Sequence, residues 1–234
     1  MKKSDKERQS RMRGKYANER KNKTIESILE NKIIAIIRGI DESEISIVAQ
    51  ALFRSGIKLL EVTFNMSEPS HDLIIAKQIT QIRELLGDEI KVGAGTVLTT
   101  EQVDIACSAH ADFIVSPNVN TDVISRTIKA GLVSIPGAFT ASEIADADRA
   151  GADFIKVFPV NIGGDDYIKA IRAPLSGMRL IAVGGVNETN IRKYLDAGCV
   201  GVGVGGQLVS KAKVAAGLID KIEETARQMV ACVK

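Results

Sequence analysis

Residues 179–206 read RLIAVGGVNETNIRKYLDAGCVGVGVGG. The stretch opens on a short aliphatic run, RLIAV (179–183), and turns on paired glycines. It then crosses a longer polar segment ending at Gly198 and returns to a second run, VGVGV (200–204). Run, longer segment, run is the pattern of a βαβ unit, because parallel strands need a crossover long enough to hold a helix. Working outward, the same rhythm recurs upstream in IIAIIR (33–38), KLLEVTF (58–64), IKVGA (90–94), DFIVS (112–116), LVSIP (132–136) and DFIKVF (153–158). Eight strand-like runs alternating with helical stretches predict an α/β fold of one domain, a closed (β/α)8 TIM barrel. An open doubly wound sheet would instead carry a G-x-G-x-x-G turn after the first strand, where the chain reads RGIDESE.

Helical stretches such as ESEISIVAQALFRSG (42–56), SEPSHDLIIAKQITQIRELLG (67–87) and SEIADADRAGA (142–152) fill the gaps. Asp41 with Glu44, Thr99 with Gln102 and Thr140 with Glu143 each have capping-box spacing. Pro69 falls near a first turn, where a missing N–H is harmless. The segment 24–32 predicts an extra helix before the first strand, closing the barrel bottom.

Composition narrows the class. Of 234 residues 45% are hydrophobic and 26% charged, which excludes wholesale disorder; aromatics are 4% with no Trp, so the core must be aliphatic. The three cysteines, Cys107, Cys199 and Cys232, have neither disulfide-framework nor metal-ligand spacing and fit a reducing cytoplasm. No apolar run approaches the roughly 20 residues that span a bilayer, and the N-terminus lacks an apolar signal core. Residues 1–23 hold ten Lys or Arg against three acids; with the whole chain at +2, the remainder carries a net −5. This tail has almost nothing to bury and reads as a solvated basic extension to a barrel domain spanning 24–234. Without aromatic or glycine patterning it does not point to nucleic acid.

Barrel chemistry gathers at the carboxyl ends of the strands, and two ionisable residues are out of place there. Lys156 interrupts ADFIKVFPV, an otherwise apolar strand, on the same face as Phe154 and Phe158. Burial depresses an amine pKa and makes it a nucleophile able to form a Schiff base; snorkelling at a strand end is the alternative. Glu61 stands in LLEVTF on the face of Leu59 and Thr63. A buried carboxyl near such an amine suits proton shuttling, against the alternative of a structural ion pair. Arg38 ends the first strand, where it can grip an anion or simply face solvent. Gly184-Gly185 after the seventh run and Gly205-Gly206 after the eighth occupy the usual barrel phosphate site, where backbone N–H groups bind anions; plain turn glycines are the alternative.

LEVTF, VGAGTVL, FIVSPN, IPGAFT, FIKVFP, AVGGV and VGVGG occur in this order. Together they resemble the 2-keto-3-deoxy-6-phosphogluconate (KDPG) aldolase family, which includes 4-hydroxy-2-oxoglutarate (KHG) and 2-keto-3-deoxy-6-phosphogalactonate aldolases, over about residues 25–212. IIAIIRGI, Asn65, SPNV and LIAVGGV sit nearest the phosphogalactonate branch. The resemblance implies a metal-free, cofactor-free class I aldolase, typically a homotrimer, acting on a small keto acid. It assigns Lys156 as the Schiff-base lysine and Glu61 as general acid/base. It places Arg38, Asn65, Thr96, Pro117, Phe158, Gly184, Gly185, Gly205 and Gly206 around the substrate. Many relatives carry Ser where Gly206 stands, which leaves room for the unphosphorylated 4-hydroxy-2-oxoglutarate.

Overall fold

The structure, a computed structural model, describes residues 18–65 and 72–234; Pro69 and the first seventeen residues of the basic tail lie outside the described residues. Nine strands form one sheet: β1 (Ile33–Ile37), β2 (Leu59–Thr63), β3 (Lys91–Gly95), β4 (Phe113–Val115), β5 (Val133–Ile135), β6 (Gly137–Ala138), β7 (Ile155–Val157), β8 (Leu180–Val183) and β9 (Gly201–Val204). Their order is β5-β4-β3-β2-β1-β9-β8-β7-β6, and every pairing is parallel. The two ends of that order, β5 and β6, are separated in the chain by Pro136 alone, so the sheet closes on itself as a barrel. The eight expected runs are thus all present, and β6 is an additional strand that continues the fifth beyond Pro136, where the expected run ended. Pro136 has no N–H to lend to a ladder, yet its carbonyl accepts from the Lys156 N–H at 2.9 Å and holds the seam to β7.

Period-two alternation divides the apolar residues into two cores. Ala35, Ile37, Leu60, Val62, Val92, Ala94, Val202 and Val204 face outward into the layer between strands and helices. That layer is covered by α2 (Ile45–Arg54), α3 (Asp72–Leu86), α4 (Thr100–Ser108), α5 (Thr121–Lys129), α6 (Ala141–Arg149), α7 (Gly164–Arg172), α8 (Ile191–Asp196), α9 (Lys211–Ala215) and α10 (Ile219–Val233). Ile34, Ile36, Leu59, Phe113, Val115, Val133, Ile135, Phe154, Ile181 and Val183 face inward and fill the barrel.

Ile28 joins the inward cluster from below, with Ile25 and Leu29 packed beside it. All three lie on helix α1 (18–31), which closes the barrel bottom as expected and extends further toward the N-terminus than the predicted 24–32. Its first turns are tied down by charge. Arg20 Nε donates to Asp112 Oδ1 at 3.1 Å and its Nη2 to the His110 carbonyl at 2.7 Å, while Lys21 pairs with Asp153 at 2.9 Å. Asp112 is 2% exposed and fully used, since its Oδ2 also accepts from Arg83 and from the Val92 N–H.

The capping expectations fare unequally. Thr140 and Glu143 form a reciprocal capping box at α6. At α4, Thr99 accepts from the Gln102 N–H, but the Gln102 side-chain Oε1 accepts from the Leu98 N–H rather than closing the box on Thr99. Asp41 caps nothing: α2 starts at Ile45, preceded by Glu44 without a side-chain cap, and the Asp41 carboxylate faces Lys211 at 3.7 Å. Among the described residues no helix is long and apolar enough to cross a membrane.

Candidate active site

The middle of β7 places Lys156 on the inner face of the barrel, above Phe154 and below Phe158, as the alternation predicts. Backbone bonds fix the strand on both sides: Lys156 pairs in register with Gly137 on β6 and Ile181 on β8. The side chain is 5% exposed. Burial pushes its amine below the ordinary lysine range; the Glu61 carboxylate opposes the shift and the Arg38 guanidinium adds to it. The Nζ lies 4.7 Å from the ring centroid of Phe158, so an ammonium there meets the electron-rich face of the ring.

Glu61 is the central residue of β2, 3% exposed, in register with Ile36 on β1 and Gly93 on β3. Burial drives its carboxyl above the usual range, with Lys156 and then Arg38 pulling it back. The barrel therefore holds an acid and an amine that are both poised toward their neutral forms. Shifts in these two directions suit a pair that exchanges protons with a reactant.

Arg38 stands one residue beyond β1, exposed but turned to the same space, and its Nη2 donates to Thr96 Oγ1 at 3.4 Å. Thr96 follows β3 with φ of 59°, a left-handed backbone that a β-branched side chain seldom adopts. That conformation turns the chain directly after Gly95 and brings the hydroxyl to Arg38.

Arg38 and Lys156 border a cavity of 440 Å³ lined also by Ile36, Phe158, Val183 and the turns after β8 and β9; Glu61 and Thr96 are not among its lining residues. Gly184 and Gly185 have φ of 106° and 73°, a left-handed pair open only to glycine without strain. Asn190 Nδ2 ties the turn by donating to the Gly185 carbonyl at 3.0 Å. Gly205 and Gly206 face it, and the space beside Gly206 is open. Larger hollows of 620 and 800 Å³ lie on the outer helices, between α3 and α4 and between α5 and α6. The 440 Å³ cavity is the one bordered by Lys156, and its size suits a small organic ligand.

The structure thus brings together Lys156, Glu61, Arg38, Phe158 and the two glycine turns. Thr96 joins through Arg38. Asn65 and Pro117 stand off the cavity wall: Asn65 is exposed just past β2, and Pro117 is packed through its backbone against Gly137. Gln207, which lines the cavity beyond Gly206, escaped the sequence reading; an exposed amide in a loop carries no periodicity to reveal it.

A family model described as "Aldolase: KDPG and KHG aldolase" matches residues 25–225. The 2-dehydro-3-deoxy-6-phosphogalactonate aldolase of Escherichia coli strain K12 is 37% identical over 203 residues, covering 86% of this chain and 93% of its own. Among solved structures, the native KDPGal structure superposes with a TM-score of 0.78 at 34% identity, covering 86% of this chain and 93% of that one. A KDPG aldolase from Legionella pneumophila, holding pyruvate as a covalent carbinolamine, superposes with a TM-score of 0.77 at 27% identity, covering 85% of this chain and 94% of that one.

Proposed function

Because this chain belongs to the KDPG and KHG aldolase family, we propose that it is a class I aldolase. It cleaves a 2-keto-3-deoxy-6-phospho sugar acid of the phosphogalactonate or phosphogluconate type to pyruvate and glyceraldehyde 3-phosphate. The observation that carries this reading is the buried Lys156 amine and Glu61 carboxyl in one barrel interior, each shifted toward its neutral form.

The neutral amine of Lys156 attacks the C2 carbonyl to give a carbinolamine. Glu61 donates a proton to the departing hydroxyl, water leaves, and a protonated imine forms. The Glu61 carboxylate then takes the C4 hydroxyl proton, the C3–C4 bond breaks, and its electrons flow into the imine. Glyceraldehyde 3-phosphate departs and an enamine remains. Glu61 returns its proton to C3, and water hydrolyses the imine to free pyruvate and Lys156. Each positioned proton transfer contributes about 10²–10⁴-fold. In this scheme Arg38, with Thr96 against it, grips the substrate carboxylate, and Phe158 borders its carbon chain. The glycine turns at 184–185 and 205–206 offer backbone donors to the distal phosphate.

One observation favours a second substrate. Gly206 brings no hydroxyl to the distal end and leaves open space there, which suits 4-hydroxy-2-oxoglutarate, cleaved by the same steps to pyruvate and glyoxylate. Family likeness further supports a cytoplasmic homotrimer, testable by light scattering on the purified protein.

Borohydride reduction in the presence of pyruvate should add one pyruvyl-derived mass to Lys156, and Lys156→Ala should abolish both the adduct and turnover. An adduct on another lysine, or none, would overturn the assignment. Side-by-side pyruvate release from the three keto acids then ranks the substrates.

A further inference from the structure

We propose that Gly95 is a positioning residue for this reaction: the space its missing side chain leaves is the seat of the Glu61 carboxyl group. The inference rests on the reading of Glu61 as the proton shuttle. A Cβ at Gly95 would stand 1.8 Å from Glu61 Oε1, 2.5 Å from Cδ and 2.6 Å from Cγ. Its three nearest neighbours are therefore all atoms of one side chain. Glycine is not required by the backbone here, since Gly95 lies outside the left-handed region that Gly184 and Gly185 occupy.

The geometry of β3 explains why the carboxyl comes to rest there. Residues 91, 93 and 95 face the barrel interior, and two of them are glycine. Gly93 is the direct register partner of Glu61, but its space is taken by the ring of Phe113, whose Cδ2 and Cε2 lie 2.2 Å from a Cβ built there. Gly95 is in register with Thr63, two residues further along β2. Glu61 therefore leans along its strand toward the mouth of the barrel and lays its carboxyl over Gly95. The two glycines form a stepped wall, with a ring seated on the lower step and a carboxyl on the upper.

A methyl at position 95 forces the carboxyl to retreat by about 1 Å or more to reach ordinary contact, a displacement that can cost about 10²-fold in rate. The conflict is with the end of a flexible side chain, so the barrel is kept while the proton shuttle is misplaced.

The test is Gly95→Ala in native, E61D and E61A backgrounds. In the native background turnover should fall about 10²-fold and the acid limb of the kcat–pH profile should move. In the E61D background, where of the three opposing atoms only the one at the Cγ position remains, the added methyl should cost less than in the native background. Equal fold-losses in the two backgrounds, or a native-like rate and pH profile for G95A, would overturn the proposal. Thermal unfolding provides a second arm independent of catalysis. Any loss of stability caused by G95A should vanish when E61A removes the opposing atoms, and a penalty that persists in G95A/E61A would refute the seat. Should E61Q prove fully active, the shuttle reading fails while this unfolding comparison still decides where the carboxyl sits.

Discussion

Replacing Lys156 by Met and Glu61 by Leu together should make the protein inactive and more stable. The magnitude follows from burial. Glu61 and Lys156 are 3% and 5% exposed, so each charge that forms has lost nearly all its water. Their mutual attraction returns only part of that cost, because burial is the dominant cause of both shifts. Exchanging a buried ionisable pair for apolar side chains of similar volume stabilises by about 1–4 kcal/mol. In a chain of this length that raises Tm by roughly 2–4 °C per kcal/mol. The gain should depend on pH with a definite sign. Glu61, whose folded pKa is raised, loses stability as pH climbs from its unfolded value of 4.5 through the folded value. Lys156, whose folded pKa is lowered, loses stability as pH falls from 10.5 through its folded value. Both penalties act between the two unfolded values, 4.5 and 10.5, so the advantage of the double variant should be greatest near neutrality and shrink toward acid and alkali. Urea unfolding of both proteins between pH 4 and 10 measures it. A double variant less stable than the native chain at pH 7, or a difference independent of pH, would refute the reasoning.

Two further outcomes are expected. Arg38→Gln removes a positive charge that depresses Lys156, so the pH midpoint for pyruvate capture by borohydride should move upward; an unmoved or lowered midpoint would contradict that coupling. Ile28→Ala hollows the barrel floor beneath Phe113 and Phe154 and should cost about 2–5 kcal/mol in chemical denaturation with an unchanged m-value, whereas a loss under about 1 kcal/mol would mean that α1 is not part of the core.

The barrel was legible because its strands are short aliphatic runs broken by glycine, and a parallel sheet covered on both faces needs little else. Lys156 and Glu61 were legible for the complementary reason: each is an ionisable group where alternation demands an apolar one. The split at Pro136 was not, since a proline at a strand end and one inside a seam look alike in one dimension. Asp41 had a cap's spacing, but Lys211, 170 residues away, faces its carboxylate. Arg20 and Lys21 looked like members of a solvated basic tail, whereas their partners Asp112 and Asp153 lie far along the chain. The wall at Gly93 and Gly95 was hidden most deeply, because a glycine records that space is needed and not which side chain takes it.

Helix α1 enters at the floor of the barrel and the reacting groups open at its opposite end. Cargo genetically attached ahead of residue 18 is therefore introduced on the face remote from substrate traffic. A surface-tethered or scaffolded version joined through that terminus would present its mouth outward, provided the graft spares the clasps that Arg20 and Lys21 make with Asp112 and Asp153.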